Sequence, residues 1–160
     1  MFKSVQVMSA HKFFDMGYNV KREDSPVCIS CRQTPGHPYG GDYAFREDDE
    51  RYITLFFDDC IPGKEWFDKY PGAKPFTEEQ AAKVLDYIEN AIARGDDKVI
   101  VHCSAGISRS GAIASFIVDN FTNMRYDEWK ASYASWIQPN QYVYGLLRRE
   151  LMRRKGMVLE

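Results

Sequence analysis

The stretch Lys98-Val99-Ile100-Val101-His102-Cys103-Ser104-Ala105-Gly106-Ile107-Ser108-Arg109-Ser110 runs from a strand pattern into a helical one through a loop of small residues. Its opening apolar run has the character of a central strand of a largely parallel sheet, buried on both faces. A buried strand that passes through such a loop into a helix N-terminus turns successive backbone N–H groups inward, and the helix dipole adds partial positive charge there. Ser104, Ala105, Gly106, Ile107 and Ser108 are therefore expected to form an anion cradle. Gly106 permits backbone angles that a side chain would forbid, and the planar fork of Arg109 can grip two phosphate oxygens at once.

Cys103 stands on the floor of this cradle. Among inward-facing amides and beside a guanidinium, a thiol falls from about 8.5 to roughly 3.5–7.5, so Cys103 is expected to be a thiolate at neutral pH. It would attack whatever phosphorus the cradle holds, giving a cysteinyl-phosphate that water later hydrolyses. Ser110 is placed to donate a hydrogen bond to the sulfur when it leaves. His102 is expected to orient the loop through backbone hydrogen bonds and not to act as a base.

Outward from the loop, Ser4–Met8, Val27–Cys31 and Arg51–Phe57 are strand candidates, the last apolar enough to suggest burial on both faces. Thr77-Glu78-Glu79-Gln80 is a capping box that opens a helix carrying Ala81, Val84, Leu85, Ile88, Ala91 and Ile92 at helical spacing, and Gly95 closes it. Beyond Arg109 the pattern is helical. Ile113, Phe116, Ile117 and Phe121 mark one helix, Trp129, Tyr133 and Trp136 a second one stopped by Pro139 with its aromatic stripe in the core, and Val143, Leu146, Leu147 and Leu151 a third. The expected architecture is α/β: a central mixed, mostly parallel sheet flanked by helices, in one domain spanning residues 1–160. Glu47-Asp48-Asp49-Glu50 is read as a solvated loop.

His-Cys-x5-Arg-Ser, here His102-Cys103 through Arg109-Ser110, resembles the signature of the protein tyrosine phosphatase superfamily, and Ala-Gly-Ile-Ser-Arg-Ser is similar to the form found in its dual-specificity branch. The resemblance extends over roughly Tyr52 to Leu151 and implies the cysteine-phosphatase fold. It also implies an aspartic acid that protonates the leaving oxygen, on a loop after the preceding strand. Asp58 and Asp59 are the candidates. Asp59 is preferred, because counting back from it places Leu55 and Ile53 on the family's usual apolar strand positions. The insert Ile61–Pro75 would absorb the long gap to Cys103. Gln138-Pro139-Asn140 matches the Pro-Asn before the family's last helix, where Asn140 would brace the phosphate loop. The arginine often found just before that pair is absent, replaced by Trp136-Ile137-Gln138.

The 160 residues, 44% of them hydrophobic, supply a core without staples. Twenty-one Lys and Arg against 23 Asp and Glu leave a net charge of −2, so no global field exists to hold nucleic acid or an anionic membrane. No signal-peptide pattern and no membrane-length apolar run appears, and four cysteines in a chain this long point to reduced thiols in the cytoplasm. Cys28 and Cys31 have no second pair to complete a zinc site, so no metal and no cofactor is expected. Arg148, Arg149, Arg153, Arg154 and Lys155 are read as complementing a helix C-terminus. Tyr39 and Tyr43 are candidates for a pocket wall or for surface packing.

The function these readings favour is a metal-independent protein phosphatase for phosphotyrosine, with phosphoserine and phosphothreonine also open, acting on a phosphoprotein or phosphopeptide. A phosphoinositide or RNA 5′-phosphatase of the same fold, a non-catalytic phosphoprotein-binding module, and a thiol-based carrier or redox protein stay open as alternatives. Ser104, Ala105, Ile107 and Ser108 add no basic residue to the loop, which leans against polyanionic substrates.

Overall fold

The computed structural model describes residues 1–34, 46–64 and 72–156. Strands β1 (Ser4–Ser9), β2 (Val27–Arg32), β3 (Tyr52–Phe56) and β4 (Lys98–Cys103) form one sheet in the order β1-β4-β2-β3. Val101 of β4 lies opposite Val7 on one side and Ile29 on the other, so β4 is internal, as its apolar run predicts. The α/β expectation holds, and among the described strands the sheet is parallel throughout.

Alternation along β4 sends Val99, Val101 and Cys103 to one face and Ile100 and His102 to the other. The first face carries the main core, built with helices α2 (Glu78–Ala93), α3 (Arg109–Phe121), α4 (Tyr126–Tyr133) and α5 (Gln141–Arg154). The second carries a smaller cluster of Met8, Cys28, Tyr52 and Ile100 under Phe13 of α1 (Ala10–Asp15). Six residues are too few to show a helical period, so the sequence does not predict α1. Ser9 starts it by accepting from the Lys12 amide at 3.2 Å. Helix α2 opens as expected: Thr77 Oγ1 accepts from the Gln80 amide at 3.1 Å, and Gln80 Oε1 accepts from the Thr77 amide at 3.1 Å. Gly95 follows α2 with φ of 88°, the left-handed conformation that ends helices. Among the described residues no helix is long and apolar enough to cross a membrane.

Four expectations are corrected. Strand β3 is buried on both faces as expected through Tyr52 on one and Ile53 and Leu55 on the other, but the burial does not reach its end, where Phe56 is 45% exposed, and among the described strands it lies at the sheet edge. The aromatic stripe divides: α4 ends at Tyr133, well before Pro139, so helical spacing does not carry on to Trp136. Trp129 is buried and donates its indole N–H to the Val5 carbonyl at 3.0 Å, whereas Tyr133 and Trp136 are exposed. The acidic run is not simply solvated, since Asp49 pairs with Arg46 and Asp48 accepts from the Thr54 amide. Arg154 does more than face a dipole. It joins α5 to α2 through Asp86 at 2.8 Å and Glu89 at 3.3 Å.

Candidate active site

The loop 104–108 leaves the C-terminal end of β4 at the middle of the sheet and delivers the chain to α3, so the sheet and a helix N-terminus converge on it. Its shape follows from where its carbonyls go. Ser104 O accepts from the Ala10 amide at 3.2 Å, Gly106 O from the Trp136 indole at 3.0 Å, Ile107 O from the Gln138 amide at 3.0 Å, and Ser108 O from the Asn140 amide at 3.1 Å. No peptide bond here is cis, and in a planar trans peptide the N–H opposes the preceding C=O. Carbonyls held outward therefore turn the amides of Ala105, Ile107, Ser108 and Arg109 toward the other side of the loop. Gly106 has φ of 73°, and a Cβ there would lie 2.5 Å from Met8 C and 2.6 Å from Ser9 N, so loop and β1 touch backbone to backbone.

Cys103 is 2% exposed at the base of this ring. Its Sγ lies 3.1 Å from Ser110 Oγ and accepts from the Gly106 amide at 3.2 Å. The other thiols are placed differently. Burial pushes Cys28 up to about 12 and Cys60 up to about 11, and raises Cys31 as well. Cys28 and Cys31, three apart on β2, point to opposite faces and belong to separate clusters, so they do not converge on a common site.

Arg109, the first residue of α3, is 4% exposed. One terminal nitrogen donates to the Phe57 carbonyl at 3.0 Å and the other to Ser104 Oγ at 3.1 Å. Its Nε is buried with no partner among the described residues. A buried guanidinium with an unused N–H, beside inward-turned amides, has the donors to pair with an anion.

Asp58 and Asp59 separate clearly. The buried Asp58 carboxylate accepts from the Thr34 amide at 3.2 Å, the Thr34 hydroxyl at 3.1 Å and the Lys74 amide at 2.8 Å. It ties together the segments that follow β2 and precede α2. Asp59 is exposed and reaches the loop 104–108, where its Oδ1 accepts from Ser108 Oγ at 2.8 Å, and also accepts from Asn140 Nδ2 at 2.9 Å. Asn140 joins three parts of the site. Its backbone amide holds Ser108, its Nδ2 holds Asp59, and its Oδ1 caps α5 at the Tyr142 and Val143 amides.

His102, on the opposite face from Cys103, is stacked on Phe13 at 4.0 Å between ring centroids, and its Nε2 lies 2.7 Å from Ser30 Oγ. Burial lowers its pKa to about 4, against a smaller opposing pull from the Cys103 carbonyl, so the ring is neutral at pH 7. Its contact to that carbonyl is long, 3.5 Å from Nδ1, so its firmer bond is to β2 and not to the loop backbone. Sequence reasoning missed Ser30 and Trp136. An indole where the family motif offers arginine was the available signal for Trp136. Nothing in sequence pairs Ser30 with His102. Tyr39 and Tyr43 lie outside the described residues, as does residues 65–71 of the insert.

A family model described as protein-tyrosine phosphatase matches residues 63–128, a span that contains the loop. None of the curated proteins matches this sequence. Among solved structures, the chain is similar to the Cydia pomonella PTP-2 phosphatase at 14% identity and TM-score 0.53, covering 91% of this chain and 84% of that one. Tk-PTP in its active form is similar at 16% identity and TM-score 0.51, over 93% of this chain and 90% of that one. PTPMT1, solved in complex with PI(5)P, is similar at 13% identity and TM-score 0.52, over 94% of each. At these identities the likeness concerns the fold, which is the cysteine-phosphatase fold.

Proposed function

For a chain whose loop motif, family-model match and fold are those of the protein tyrosine phosphatase superfamily, we propose that it is a metal-independent protein phosphatase acting on phosphotyrosine. The observation that carries this reading is the buried Arg109 guanidinium, its Nε unpartnered among the described residues, beside the Cys103 thiol in a ring of inward-turned amides.

In this reading the loop amides and Arg109 hold the phosphoryl oxygens, and they stabilise the charge that spreads over them as the phosphorus is attacked. The Cys103 thiolate forms the S–P bond while the P–O bond to the substrate breaks. Asp59, protonated on Oδ2 while Oδ1 is held by Ser108 and Asn140, gives its proton to the departing oxygen. A water then attacks phosphorus and yields its proton to Asp59, and the S–P bond breaks. Ser110, 3.1 Å from the sulfur, donates a hydrogen bond to the returning thiolate. Inorganic phosphate leaves and the enzyme is restored, with no step needing a metal. His102 supports β4 from the far face of the sheet, and Asp58 secures the strand ends from which Asp59 projects.

An aryl phosphate assay in reducing buffer with a chelator tests this. Turnover is expected, with Cys103→Ser and Arg109→Ala both inactive. Absence of turnover, or full turnover by Cys103→Ser, overturns it in favour of a binding module. A phosphoinositide reading draws support from the likeness to PTPMT1 in complex with PI(5)P. The loop argues the other way, since Ser104, Ala105, Ile107 and Ser108 add no positive charge for a polyanionic headgroup. A phosphotyrosyl peptide is expected to be hydrolysed faster than phosphoinositide vesicles, and the reverse order would reassign the substrate class.

A further inference from the structure

Three of the four outward tethers on the phosphate loop come from backbone amides, those of Ala10, Gln138 and Asn140. Any residue but proline could supply them. The fourth depends on one side chain, because the donor to Gly106 O is the indole Nε1–H of Trp136 at 3.0 Å. Trp136 lies beyond the end of α4 and is 50% exposed, so its place in the fold is not that of a core residue. It nonetheless turns its one polar atom to the loop.

The peptide it holds most needs holding. Gly106 has φ of 73° and no side chain, so rotation of the Gly106–Ile107 peptide meets less steric resistance than rotation of its neighbours. In the tethered orientation the Ile107 N–H points into the cradle. Rotated over, the same peptide would present a carbonyl oxygen to an anion and replace attraction by repulsion.

We propose that Trp136 is a positioning residue of the phosphate site: by holding the Gly106 carbonyl outside the loop, its indole N–H aims the Ile107 amide at the bound phosphoryl group. This rests on the phosphatase reading above and adds to its machinery a residue that acts through the loop backbone.

The test compares the parent protein with Trp136→Phe, which keeps an aromatic ring and removes the donor, and with a variant carrying benzothienylalanine at position 136, where sulfur replaces the N–H in a ring of nearly the same shape. The measurements are the inhibition constants of inorganic phosphate and vanadate, kcat and KM on an aryl phosphate, the pH–rate profile and Tm. Both variants are expected to bind phosphate about tenfold more weakly and to lose roughly tenfold or more in kcat/KM, less than the 10²–10³ typical of deleting an oxyanion donor outright. The shape of the pH–rate profile is expected to stay as in the parent, because Asp59 is held by Ser108 and Asn140 and not by Trp136. A general loss of packing would instead lower Tm in the Phe variant and spare the benzothienylalanine one. Parent-like phosphate affinity in a folded benzothienylalanine variant of an active enzyme overturns the tether alone. A parent that neither turns over aryl phosphate nor binds inorganic phosphate overturns the phosphatase reading, and the tether with it.

Discussion

Adjacent aspartates have opposite fates here, and the cause is local. Asp58 spends both carboxylate oxygens on Thr34 and the Lys74 amide, whereas Asp59 stands exposed over the loop. Asp58→Asn would turn an acceptor into a donor facing amide and hydroxyl groups. It is expected to lower stability by about 1–3 kcal/mol in urea unfolding. Asp59→Asn is expected to unfold like the parent yet to slow hydrolysis of poor leaving groups by about 10²–10⁴, and equal kinetic losses in the two variants would contradict the division of roles. At Gly106 the constraint is steric. With φ of 73° and the Met8 carbonyl carbon 2.5 Å from the site of a Cβ, Gly106→Ala must push the loop off β1. The variant is expected to lose aryl phosphatase activity together with Tm, and one that kept both would show that the contact between loop and β1 can yield.

Elements place these residues. Strand β4 aims Cys103 into the main-core side of the sheet and His102 into the opposite side by alternation alone, and α3 begins at Arg109, so the guanidinium springs from the first helical turn. Helix α5 contributes through its cap, since the Asn140 side chain that starts it also holds Asp59. Helix α2 meets the end of β3 through Gln80 Nε2, which donates to the Phe56 carbonyl at 2.8 Å, whereas Thr77 of its capping box bonds the Gln80 amide within the helix start. Thr77→Ala is therefore expected to cost about 1 kcal/mol of stability with kcat and KM unchanged, as read from paired melts and kinetics. A kinetic effect would mean that α2 communicates with the site.

For the whole molecule, the buried neutral His102 links stability to pH. Its pKa is about 4 in the fold against the ordinary 6.5, so between these values the unfolded chain binds more protons than the folded one. Stability is unaffected by this group above 6.5 and is lost as pH falls toward 4, by about 3 kcal/mol over the whole window. His102→Gln is expected to be less stable at pH 7.5 and to show a shallower loss on acidification. Parallel stability–pH curves for the two proteins would exclude the link.

Much of this was legible in sequence because it is local. The strand-loop-helix junction, the Thr77–Gln80 box, the apolar faces of α2 and α5 and the place of Cys103 between His102 and Arg109 are each set within a few residues, where backbone geometry and side-chain period act directly. Tertiary structure decided what depends on distant partners. It put β3 at the edge of the described strands, took Trp136 out of the core and put its indole on Gly106, and bonded His102 to Ser30 on the neighbouring strand. It also gave Asp58 to Thr34 and Lys74 and Asp59 to Ser108 and Asn140. The physical reason is that a hydrogen bond between residues far apart in the chain leaves no period or spacing behind it. Net charge shows the same division: −2 over the chain excludes a global anion-attracting field, but only folding gathers Arg109 and the loop amides into one local field.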